Sequence, residues 1–131
     1  MAQRKQVQRV SDKHNGDLSL ENLRDRLREF AAAREWNQFH SPKNLAIALS
    51  VEAGELLEHF QWLSDQASRT LPDDKLEKIK DEMADVLLYL IRLADVLNVN
   101  LIQSADTKIE ANAQKYPVDK SRGSSKKYTE L

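Results

Sequence analysis

The chain has 131 residues, 40% hydrophobic and 31% charged, with a net charge of −1. That suits one domain with a core and gives no general attraction to nucleic acid or an anionic membrane. With no cysteine, disulfides, thiolate metal sites and cysteine nucleophiles are excluded, which fits a reducing cytoplasm.

Taken in chain order, "MAQRKQVQRV" lacks the apolar stretch of a signal peptide, and residues 1–17 read as a polar, flexible N-terminal arm. Leu20, Leu23, Leu27, Phe30 and Ala31 recur at helical spacing, which predicts a first helix from Asp17 or Ser19 to about Glu35. Ser41 followed by Pro42 is a start signal for a second helix, with Ser as N-cap and Pro at the first helical position. It should run to about Leu63. "SDQASRTLPDD" reads as a connector, and Pro72 with Asp73 and Asp74 opens a third helix to about Leu97. Asn100 can cap a fourth, which must end near Tyr116 because Pro117 follows. No strand alternation appears. The longest strictly apolar run, residues 86–91, is too short to cross a bilayer. The expectation is an all-α bundle of four to five helices over residues 18–117, with a polar, turn-rich tail over 118–131.

On the second helix, Glu52, Glu55 and His59 fall in one polar strip with Leu45, Leu49, Leu56 and Phe60 to one side. Trp62 and Ala48 flank the strip on the other. Glu58 points farther out, toward solvent. The third helix repeats the arrangement, with Glu82 and Asp85 three apart on a helix that is otherwise apolar almost all round. Its remaining charges from Met83 to Val99 are Arg92 and Asp95. So much apolar perimeter in a short chain predicts oligomerisation through the second and third helices.

A single acid-x-x-acid pair is ordinarily solvated surface, and Asp74/Glu77 has that look. Two pairs on apolar helices are different. Packed together, Glu52, Glu55, Glu82 and Asp85 would place four negative charges at close range. A hard divalent cation with oxygen ligands resolves that, and Mg²⁺ or Ca²⁺ qualifies. A di-iron bundle wants Glu-x-x-His pairs, and none of the three histidines has Glu three residues before it.

"ALSVEAGELLEHFQW" followed by "DEMADVLLYLIRLA" resembles the MazG-like all-α nucleoside triphosphate pyrophosphohydrolases, whose metal motif is E-x-x-E, a spacer, then E-x-x-D. "EFAAAREWNQFHSPKNL", "KIEANAQKYPV" and "SRGSSKKYTEL" extend the resemblance to the dCTP pyrophosphatase branch, over residues 20–131. The resemblance implies cleavage between the α- and β-phosphates of a nucleoside triphosphate, with dCTP or a related pyrimidine nucleotide as substrate, for nucleotide pool cleaning. It implies Mg²⁺ held by Glu52, Glu55, Glu82 and Asp85; a carboxylate beside the metal, Glu52 or Glu55, could take the proton of the attacking water, and the sequence does not choose between them. Lys108, Asn112 and Lys115 share one face of the fourth helix. Lys108 would offset charge on the leaving pyrophosphate, aided by Lys115. Trp36 and Trp62 would wall the base pocket, with His40, Asn44, Tyr89 and Asn112 near it. Arg122 belongs to a basic tail that would close over the phosphates, with Tyr128 as its anchor. A homotetramer is implied, with no membrane or nucleic-acid partner. Two positions depart from relatives: Val51 stands where many have a further glutamate, and Leu27 where vertebrate members carry a histidine. The alternatives are a pyrophosphatase preferring dUTP, an oxidised purine nucleotide or NTPs broadly, and a helical interaction protein whose acidic pairs hold a structural cation.

Overall fold

The computed structural model describes residues 17–131, so the expected N-terminal arm lies outside the described residues except for Asp17. Every regular element described is helical. In chain order these are α1 (Leu20–Ala33), α2 (Pro42–Glu58), α3 (Asp65–Ser68), α4 (Asp73–Val96), α5 (Leu101–Lys115) and α6 (Val118–Ser121), with single 3₁₀ turns at Trp36–Gln38 and Tyr128–Glu130. The expected all-α class is what the chain adopts.

The helix starts follow local chemistry. Ser19 Oγ accepts from the Asn22 amide at 3.0 Å, Ser41 Oγ from Asn44 at 3.1 Å, and Asn100 Oδ1 from Gln103 at 3.0 Å. Each side chain satisfies a backbone donor that a helix start leaves without an intrahelical partner. Pro42 occupies the first turn of α2, where its missing N–H costs nothing. Pro72 precedes α4, whose first turn carries Asp73 and Asp74 against the positive end of the helix dipole. α4 closes with Asn98 in the left-handed region (φ 57°). Its amide donates to Asp95 O at 3.0 Å and that of Val99 to Ala94 O at 2.8 Å, the paired bonds of a Schellman turn.

Three boundaries differ from expectation. α2 stops at Glu58 rather than near Leu63. Beyond it, the amides of Phe60 and Gln61 both donate to Leu57 O, and the chain winds on in tight turns. No glycine or proline marks that stop. The connector is not wholly irregular, because Ser64 caps α3 by accepting from Ala67 N at 3.1 Å. Nor is the tail shapeless. α6 follows Pro117, and the Tyr128 ring packs edge-on against Tyr116 at 6.0 Å, with Lys115 Nζ 5.0 Å from its centroid.

The core is narrow. Leu45 of α2, Ile79, Ile91 and Ala94 of α4, and Ala31 of α1 are buried. α2 lies along α4, and α1 crosses the C-terminal half of the same helix. α5 makes only isolated contacts with the other described helices. Ile47, Val51 and Leu57 of α2, Met83 of α4, and Ile102 and Ile109 of α5 are exposed.

Candidate active site

The α2–α4 seam brings both acidic pairs together. Glu52, Glu82 and Asp85 each offer a carboxylate oxygen within 4.8 Å of the others. Glu55, one turn along from Glu52, adjoins that carboxyl and is among the groups that perturb it. Oε2 of Glu52 and Oε2 of Glu82 are both buried without a hydrogen-bond partner. The Glu52 carboxyl is pushed up to about 7, first by burial and then by Glu55, Asp85 and Glu82. Buried carboxylate oxygens normally find donors. His59 Nε2 stands 3.9 Å from the other oxygen of Glu82, Oε1, beyond hydrogen-bond range. All-oxygen donors, clustered, anionic and unsatisfied, fit a hard divalent cation.

A second polar group lies farther along α4. Arg92 is almost fully covered, with its side chain 11% exposed. Its Nε donates to His40 Nδ1 at 3.1 Å and its Nη2 to Asn37 Oδ1 at 2.8 Å. Asp95, one turn on, takes two bonds from Arg28 of α1, at 2.7 and 2.5 Å, and lies 3.5 Å from Arg92 Nη1. The Arg28 bonds, ahead of the opposing effect of burial, hold the Asp95 carboxyl below its usual range. Burial, then the Arg92 charge, pulls His40 down. Trp36 joins this group, edge-on to Phe30 at 5.6 Å and to His40 at 6.2 Å.

The pattern of the MazG-like family matches residues 47–131, the stretch that carries all four acidic residues of the seam. The chain belongs to the MazG-like family. It is 46% identical over 115 residues to dCTP pyrophosphatase 1 of Mus musculus, covering 86% of this chain and 68% of that protein. Identity to dCTP pyrophosphatase 1 of Homo sapiens is 43% over 115 residues, again 86% of this chain and 68% of that protein. A crystal structure of a pyrophosphatase from Archaeoglobus fulgidus superimposes with a TM-score of 0.67 at 42% identity, over 79% of this chain and 97% of that one.

Other residues expected at the MazG-like site are distributed unevenly. Tyr89 is half-buried on α4 between Asp85 and Arg92. Trp36 is 43% exposed, while Trp62, past the end of α2, is 87% exposed. Asn44 is engaged locally, its Nδ2 donating to Phe39 O at 2.9 Å. Lys108, Asn112 and Lys115 sit on α5, which is not packed on α2 or α4, and no ion pair among the described residues joins them to the carboxylates. Arg122 caps α6 in the tail. The sequence reading assigned no role to Arg92, Asp95, Arg28 or Asn37. The available signal was two charges, Arg92 and Asp95, on a helix otherwise apolar in that half. Their partners lie up to 67 residues away, beyond the reach of periodicity.

Proposed function

We propose that this chain is a Mg²⁺-dependent nucleoside triphosphate pyrophosphohydrolase that takes dCTP, or a closely related pyrimidine nucleotide, to the monophosphate and pyrophosphate. The observation that carries this reading is the unsatisfied carboxylate cluster of Glu52, Glu82 and Asp85, in a chain whose relatives include dCTP pyrophosphatases. A free-nucleotide substrate supports a cytoplasmic location for the activity.

Glu52, Glu55, Glu82 and Asp85 would hold the metal. When bound, Mg²⁺ supplies the positive charge that lets a polyanion approach four carboxylates and offsets charge on the phosphates. Water attacks the α-phosphorus, the bond from that phosphorus to the α,β-bridging oxygen breaks, and pyrophosphate leaves. Glu52 or Glu55 accepts the water's proton. Lys108 and Lys115 would meet the leaving pyrophosphate. Since α5 is not packed on the seam within one chain, this role needs a partner chain, and a closing tail would add the charge of Arg122.

The apolar side chains left in solvent on α2, α4 and α5 support assembly as a dimer or a tetramer. Light scattering at micromolar protein should report that oligomer, and an active monomer would overturn it. The catalytic reading is tested by incubating the protein with each NTP and dNTP plus Mg²⁺. Monophosphate plus pyrophosphate, fastest with dCTP, is expected. Release of orthophosphate, or no turnover, would overturn it.

A further inference from the structure

The Arg92 group sits where the other end of a nucleotide would fall. Glu82, Asp85, Tyr89 and Arg92 recur at three- and four-residue spacing and so line one face of α4. Arg92 is seven residues past Asp85, roughly 10 Å along the helix axis at 1.5 Å per residue. That is comparable with the span from the α-phosphorus of an extended nucleotide to the far edge of its base. His40 bonds Arg92 at that end of the face, and the Trp36 ring stands edge-on to it.

Arginine has only donors, so the bond from Arg92 Nε obliges His40 Nδ1 to be an acceptor. A neutral imidazole whose Nδ1 accepts carries its proton on Nε2. A protonated ring would carry hydrogen on both nitrogens and lose this bond. The lowering of His40 by burial and by the Arg92 charge acts in the same direction. Arg92 is itself held in place by Asn37 Oδ1 and Asp95, and Asp95 by Arg28. No described residue bonds His40 Nε2, and that atom is not among the buried, unpartnered ones. What the ring offers a ligand is therefore one hydrogen-bond donor.

Resting on the pyrophosphohydrolase reading above, we propose that Arg92 is a positioning residue that fixes His40 as its Nε2–H tautomer, so that the site selects a base presenting an acceptor there. The ring N3 of cytosine accepts; the ring N3 of uracil or thymine donates and would meet the Nε2–H hydrogen to hydrogen. A two-nitrogen ring left free could turn or shift its proton to suit either base. Clamped by Arg92, it cannot, and the mismatch leaves a desolvated donor without a partner.

Uniformly ¹⁵N-histidine-labelled full-length protein at pH 8 reads the tautomer directly through long-range ¹H–¹⁵N correlations, and His40→Gln assigns the signal. The expected wild-type spectrum is a single Nε2–H form. An Nδ1–H form, or a rapidly exchanging mixture, overturns the proposal. In Arg92→Met the tautomers should mix, and the dCTP-to-dUTP ratio of kcat/KM should fall about tenfold, mainly through KM for dCTP. Arg92→Lys, which keeps the charge but cannot span His40 and Asn37 together, should recover part of the ratio. An unchanged ratio with a released tautomer overturns the base selection. If Arg92→Met does not fold by circular dichroism, the wild-type spectrum and the ratio in His40→Gln decide instead; a Gln amide both donates and accepts, so discrimination should fall there too. A wild type that releases no pyrophosphate from any nucleotide sinks the pyrophosphohydrolase reading and base selection with it, while the spectrum still judges the tautomer.

Discussion

Two polar clusters share one helix, and their charges are settled in opposite ways. In the carboxylate cluster, Glu52, Glu82 and Asp85 face one another, and two buried oxygens have no donor. In the Arg92 cluster, every charge is answered: Arg92 by Asp95 and Asp95 by Arg28, while two further guanidinium hydrogens of Arg92 go to His40 and Asn37. Both lie partly covered along α4. The difference separates what each cluster is for. A cluster that balances itself can hold its own geometry. One that does not is relieved by added positive charge with affinity for oxygen, whether a proton on Glu52 or a hard cation.

The contrast can be broken most severely at Glu52. Glu52→Gln keeps the shape and removes one anionic ligand, so turnover should fall by about 10²–10⁴-fold. Thermal stability of the metal-free protein should not fall, because a repelled carboxylate is gone. A steady-state assay alongside thermal melts with chelator checks both, and normal turnover would end the assignment. Glu55→Gln should also fall sharply.

The same residue gives the metal-free protein a pH signature. The folded-state value for Glu52 is raised, from an ordinary 4.5 to about 7. The folded protein thus binds this proton more tightly than the unfolded chain. Its contribution to stability is complete below about 4.5 and is lost as pH rises through about 7. Melting curves in chelator should show that decline across the window. Saturating Mg²⁺ should flatten it, and Glu52→Gln should abolish it.

At the balanced cluster, Asp95→Asn should do the reverse. It leaves Arg28 and Arg92 without their carboxylate, and Arg28 is half exposed, so solvent makes up part of the loss. The expected cost is about 1–2 kcal/mol, a melting temperature lower by roughly 3–6 °C, with kcat for dCTP reduced far less than in Glu52→Gln. Deleting the residues after Val118 should raise KM for the triphosphate several-fold while circular dichroism shows no helix lost beyond the deleted α6 and 3₁₀ turn; unchanged kinetics would remove the tail from the site. Glu58→Gln, exposed on the outer side of α2, should change activity less than about twofold. An effect equal to that of Glu55→Gln would undo the helical-face argument from which the site was first read.

Much of this was legible before any coordinates. Ser41–Pro42, Pro72–Asp73–Asp74, Asn100 and Pro117 marked helix boundaries because each acts through its own backbone or the next turn. The carboxylate cluster was legible for the same reason: i, i+3 acids on apolar faces fix their own direction. The Arg92 group was not, since its bonds span 52 to 67 residues and connect three elements. The early end of α2 was also hidden. Residues 59–63 carry no helix breaker, and the tight turns there depend on which carbonyl each amide selects. α5 carried a recognisable Lys–Asn–Lys face, but a face does not say what it packs against.

The contrast between the two tryptophans has an optical consequence. Trp36 lies against Phe30 and His40 with part of its ring still exposed, whereas Trp62 stands almost wholly in water. Because the chain contains only these two, its intrinsic fluorescence divides into a partly shielded emitter and a more solvated one, the latter red-shifted and more open to iodide. A Trp36→Phe protein would report on the end of α2 alone. Subunit contact or a stacked base reaching Trp62 would then register as a blue shift or a loss of intensity in an unlabelled sample, and the dilution at which iodide regains access would measure whatever covers it.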